Sequence, residues 1–173
     1  MLGNSTIKSN RKTDFYHINV HGIEPVSICY SESDYLHILS IFKKSVLEAK
    51  KVEILAYTIE PTFVDILVNQ VKNNGISEFI DSFVGEYNTY YSKKYGLSGL
   101  LSNNNCIRSK VDNDHLLDTS CTIYLRNKEW LDHSFSSIRA YLYDDVPNWL
   151  TKKYISNIYG SAVKYLDFLQ KHQ

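Results

Sequence analysis

Two apolar runs held three residues apart restrict what this chain can fold into. Val52–Ile59 and Phe63–Val68 are dense in β-branched and aromatic residues. Between them, Glu60-Pro61-Thr62 interrupts the strand pattern, because proline fixes φ and supplies no N–H donor. So short a break between two strands predicts an antiparallel hairpin, and the rest of the fold has to be built outward from it.

The flanking pattern supplies the neighbours. Phe15–Val20 reads as a strand, Gly22 and Pro25 punctuate a loop, and Val26–Tyr30 reads as a short extended segment. Ser31 followed by Asp34 is a capping-box pattern, opening a helix with Tyr35, Ile38, Leu39, Phe42 and Val46 on one face. Asn73-Asn74-Gly75 ends the hairpin, and Ser77 is expected to cap a long helix closed by Gly96. Its apolar stripe is Phe79, Ile80, Phe83, Tyr87, Tyr90 and Tyr91. Ile107–Val111 predicts a fourth strand, and Asp112 or Asp114 starts a helix carrying Leu116, Leu117, Cys121, Tyr124 and Leu125. Shorter helical stretches around 135–142, 150–159 and 162–171 complete the chain. This order predicts an α+β fold, a central antiparallel sheet with helices packed mainly on one face. A flexible basic arm, residues 1–14, is expected before a single domain, 15–173, that ends in a helical extension.

Charge bears on partners. The formal net charge is zero, which argues against strong nucleic-acid binding over the whole surface. The charge is uneven, however. Acids outnumber bases from Glu24 to Glu86, whereas Tyr87–Lys110 contains no acid. Arg11, Lys12, Lys93, Lys94, Arg108 and Lys110 are therefore the candidate DNA-binding residues, with a solvated polar face as the competing reading. The fourteen tyrosines fall largely at helical spacing and are expected in the core, with base stacking by one or two exposed ones as the alternative reading. Cys29, Cys106 and Cys121 match no zinc motif and are expected as reduced, buried thiols. No apolar run approaches a bilayer span and the N-terminus lacks a secretory pattern, so a cytoplasmic protein is expected.

Several stretches, taken in order, resemble the HUH-type single-tyrosine transposases, above all the REP-associated branch. They are Phe15-Tyr16-His17-Ile18-Asn19-Val20-His21-Gly22, Asp34-Tyr35, Ala56 through Asp65, Tyr87 through Gly99, Ile123-Tyr124-Leu125, Phe135 through Leu142 and Pro147-Asn148-Trp149-Leu150. The resemblance runs from about residue 15 to 170 and implies a ferredoxin-like fold, in agreement with the pattern above. It also implies a chemistry. In that family a His-x-His pair on a strand and a polar helix residue bind Mg or Mn, and a tyrosine one turn earlier attacks a phosphate of single-stranded DNA. Those positions fall here on Phe63, Asp65, Arg126 and Thr122. A phenyl ring cannot ligate, a guanidinium repels a metal, and a threonine without an activating base is a poor nucleophile. The resemblance thus implies a degenerate site with no catalytic residue, no metal and no cofactor. Tyr124 lies about 200° around the helix from Thr122 and reads as core. Asp65 and Arg126 are expected either as an ion pair in the old metal pocket or as two solvated side chains.

Three functions are compatible with this reading. The first is a transposase-like domain that binds single-stranded or hairpin DNA but has lost strand cleavage and transfer. The second is a structural or protein-interaction module, a homodimer among the options. The third is an active transposase using unorthodox residues.

Overall fold

The computed structural model describes residues 13–173, so Arg11, Lys12 and most of the expected basic arm lie outside the described residues. Four strands, β1 (Phe15–His21), β2 (Val52–Ile59), β3 (Phe63–Gln70) and β4 (Cys106–Val111), form one antiparallel sheet in the order β2-β3-β1-β4. Helix α1 (Glu32–Leu47) joins β1 to β2, and α2 (Gly75–Tyr95) joins β3 to β4. The fold is therefore the α+β, ferredoxin-like arrangement expected from the pattern. Four shorter helices follow β4: α3 (Leu116–Leu125), α4 (Ile138–Leu142), α5 (Lys153–Tyr159) and α6 (Ala162–Lys171). Among the described residues, no helix is long and apolar enough to cross a membrane.

The six helices pack around the sheet on both of its faces, not mainly on one as the pattern predicts. The two long ones share a face: Phe42 of α1 meets Tyr57 of β2 at 5.8 Å, Phe79 of α2 at 6.1 Å and Phe83 of α2 at 5.8 Å. The other face receives α3 and α5, where Tyr154 packs edge-on against Phe15 at 5.1 Å. A sheet covered on both sides explains why β2 and β3 are near-continuous apolar runs with little alternation. The 135–151 segment closes the β2 edge, since Ser137 N–H donates to Tyr57 O (3.0 Å) and Thr151 N–H to Ile54 O (2.8 Å). A bulge falls between Ile54 and Ala56, and the Leu55 carbonyl there accepts from the Tyr141 hydroxyl at 2.5 Å. The opposite edge, β4, pairs among the described residues only with β1 and is largely exposed.

Two local expectations are corrected. Val26–Tyr30 is not a strand. Ile28 and Cys29 donate to the Pro61 carbonyl (2.7 and 3.1 Å), while the Tyr87 and Tyr91 hydroxyls donate to the carbonyls of Ile28 and Ser27. The loop is thus clasped between the hairpin turn and α2, with its polar groups used by tertiary partners. Helix α2 starts at Gly75, with Asn74 as its left-handed N-cap (φ 60°), two residues before Ser77. A Cβ at Gly75 would collide with the Lys51 carbonyl, so the chain can turn there only with glycine.

Candidate functional site

The strand register sets a line of residues across the sheet: Thr58, Asp65, Asn19 and Ile107 lie side by side on β2, β3, β1 and β4. Alternation then puts Phe63, Asp65, His17, Asn19 and His21 on one face, the face that α3 approaches. Asp65 is fully buried, and both carboxylate oxygens are engaged. His17 Nε2 (2.9 Å) and Asn19 Nδ2 donate to Oδ1, and Arg126 Nη1 donates to Oδ2 at 2.6 Å. Arg126 directly follows the last residue of α3, so the helix delivers its side chain over β3. The guanidinium carbon lies 4.0 Å from the centre of the Phe63 ring, a cation–π contact, and His21 adjoins the same ring at 5.8 Å. Burial alone would raise the Asp65 pKa. The His17 and Asn19 hydrogen bonds, with the Arg126 charge, overcome that and hold it below the usual carboxylate range.

A second carboxylate stands beside this cluster. Glu60, in the hairpin turn, accepts from Thr58 Oγ1 (3.2 Å) and Asn127 Nδ2 (2.9 Å) and lies 3.2 Å from His133 Nε2. It fastens the turn to the loop that leaves α3.

No family model matches the chain, and no curated protein matches it in sequence. Solved structures do match. A REP-associated tyrosine transposase bound to a REP hairpin superposes with a TM-score of 0.62, over 80% of this chain and 85% of that one, at 13% identity. The fold is that of a REP-associated tyrosine transposase. The resemblance carried by the ordered motifs is borne out at the level of the fold. A bacterial tRNA(His) guanylyltransferase-like protein in complex with GTP matches more loosely, with a TM-score of 0.44 and 10% identity over 79% of this chain and 70% of that one.

Within this fold, the four positions singled out in the sequence are brought into one neighbourhood. Phe63, Asp65 and Arg126 touch, as the ion-pair expectation required. Thr122 lies one turn before Arg126 on α3, exposed, with Oγ1 donating back to the Asp118 carbonyl (3.0 Å). It lines a shallow cavity of about 380 Å³ with Cys121, Leu125, Arg126 and His172. The donor set does not suit a divalent metal. Phe63 offers no lone pair, Arg126 is itself a cation, and both Asp65 oxygens already accept hydrogen bonds. Tyr124 is a core residue, its hydroxyl 2.7 Å from Ser137 Oγ, and burial raises its pKa well above normal, which keeps it a neutral phenol.

Among the described candidate DNA-binding residues, Arg108 and Lys110 share β4, while Lys93 and Lys94 lie near the end of α2. Lys94 is 2.6 Å from the buried Asp34 carboxylate and also donates to Ser31, Ser33 and the Tyr90 hydroxyl. Lys110 is 2.7 Å from Asp14. Arg108 donates to Ser77 Oγ near the start of α2, and Lys93 sits near its end. Sixteen residues of helix separate those points by about 24 Å.

His17 and Asn19 were missed as site residues, although their alternation with His21 along β1 is visible in the sequence. The missing fact was that β1, and not only β2, would lie against β3.

Proposed function

We propose that this chain is a transposase-like DNA-binding domain that has lost metal-dependent strand cleavage. One observation carries the reading: the point between β3 and the end of α3, where the resembled family would hold its metal, is filled by the Arg126 guanidinium, bonded to Asp65 and lying on Phe63. A tethered cation stands in the place of a free one, and the residue one turn before it is Thr122 and not a tyrosine. Retained DNA binding is supported by the likeness to a transposase fold solved with a REP hairpin. Titration with single-stranded and hairpin oligonucleotides, with and without Mg or Mn, tests both halves. Salt-sensitive binding without nicking is expected. A metal-dependent nick with a covalent protein–DNA adduct would refute the loss of cleavage.

A second reading, an interaction module without DNA binding, is favoured by the neutralisation of Lys94 and Lys110 by internal acids. No band shift with either oligonucleotide, even at low salt, selects it. On either reading the fold persists around a site that no longer supports the ancestral reaction.

A further inference from the structure

The outward face of α2 is unusual for a solvated helix. Gly85 stands near the middle of its 21 residues, exposed, and beyond the adjoining helix backbone no atom of the described residues lies within 4 Å of where a Cβ would be. A mid-helix glycine costs roughly 1 kcal/mol against alanine, and nothing inside the chain needs the space it leaves. Ser82 and Thr89, about one turn away on either side, are small as well. The result is a trough of about 660 Å³, walled on one side by His37 and Tyr90, whose rings stack at 3.9 Å.

The charges along this trough are polarised. Asp81 lies toward the N-terminal half and Lys93 toward the C-terminal end, and neither has an ion-pair partner among the described residues. Glu86 is already paired with Lys44 at 3.0 Å.

We propose that α2 packs antiparallel against α2 of a second copy of this chain, about a two-fold axis level with Tyr87. That axis sets Gly85 against Thr89 of the other copy, where small residues let the helices approach at the lower end of the usual 8–10 Å or so. It also sets Asp81 against Lys93 twice, once on each side, because both lie six residues (about 9 Å) from the axis. A parallel pairing would place Asp81 on Asp81. The outer edge of β4 carries Arg108, which has no ion-pair partner among the described residues and would face basic residues in a self-pair.

Sedimentation velocity over a range of protein concentrations tests this directly. The wild-type chain is expected to show a monomer–dimer equilibrium that weakens with salt. Gly85→Arg fills the trough from an open position, so the fold is kept, as circular dichroism checks, and the dissociation constant rises by roughly tenfold or more. Asp81→Lys and Lys93→Asp each weaken the dimer, and combining the two restores it. A wild-type chain that stays monomeric at every concentration overturns the proposal. So does a dimer unaffected by Gly85→Arg or not rescued by the charge exchange.

Discussion

Asp34 and Asp65 make an instructive pair. Each is a fully buried carboxylate held by a cation at 2.6 Å, one at the α1–α2 side of the sheet and one on the α3 side. Their surroundings differ in kind. Asp34 accepts from the backbone N–H groups of Tyr30 and Ser31 (2.8 and 2.9 Å), from the Tyr90 and Tyr95 hydroxyls (2.7 Å each) and from Lys94. It caps the start of α1 and ties it to the end of α2. Asp65 has only side-chain donors, and one of them, Arg126, is 38% exposed. A node that uses backbone donors is fixed by the course of the chain. A node of side chains can change its members while the fold stays the same. The Asp65 cluster, where the resembled family would keep its chemistry, is of the second kind.

The largest expected effect follows from that contrast. Asp34→Ala leaves a cap, two phenols and a lysine without their acceptor and should destabilise the fold by about 3–4 kcal/mol in urea denaturation. A loss below about 1 kcal/mol would erase the distinction between the two nodes. Acid should expose the same asymmetry. Burial pushes the Asp34 pKa up, but Lys94, Tyr95, Tyr90 and the Tyr30 N–H outweigh it and hold the carboxyl well below its ordinary range; Asp65 is also lowered. Both groups favour the folded state when ionised, so their contribution is whole above about pH 4 and is lost as pH falls through the folded values. Denaturation midpoints taken from pH 6 to pH 2.5 should fall for the wild type and fall less for Asp34→Asn. Equal slopes would remove Asp34 from the account.

Arg126→Ala should cost less, about 1–2 kcal/mol, because solvent already screens the guanidinium and Asp65 keeps His17 and Asn19. Pairing Asp65→Asn with Arg126→Gln should be milder than the sum of the single changes, since neither leaves an unpaired charge. Strict additivity in this double-mutant cycle would mean that the two side chains are adjacent without being coupled.

The same contrast explains how far the sequence could be read. Strands β1 to β4, the Glu60-Pro61-Thr62 turn and the Ser31–Asp34 cap were legible because each rests on local pattern or turn chemistry. The start of α2 was not, since it depends on the Lys51 carbonyl, 24 positions away in the chain, crowding Gly75. The ion pair of Asp65 with Arg126 was legible only through the family resemblance, as one of two alternatives. Its support from His17 and Asn19 needed the β1–β3 register, a long-range fact that hydrophobic period does not encode. The partner of Lys94 was hidden for a similar reason: its sequence neighbours carry no acid, while its spatial neighbour Asp34 lies 60 residues away.

The smallest expected effect bears most directly on function. Thr122 is exposed beside an open cavity and bonds only to its own helix, so Thr122→Tyr should change stability by less than about 0.5 kcal/mol. It restores the residue type that the resembled family uses as nucleophile, at the position one turn before Arg126. On the proposed reading no covalent adduct with single-stranded DNA is nevertheless expected, because a phenol alone gains nothing while Arg126 occupies the point where the resembled family would hold its metal. An adduct formed by Thr122→Tyr alone would mean that the Arg126 guanidinium can serve in place of the metal, and the Asp65 cluster would then be a working electrostatic site lacking only its nucleophile.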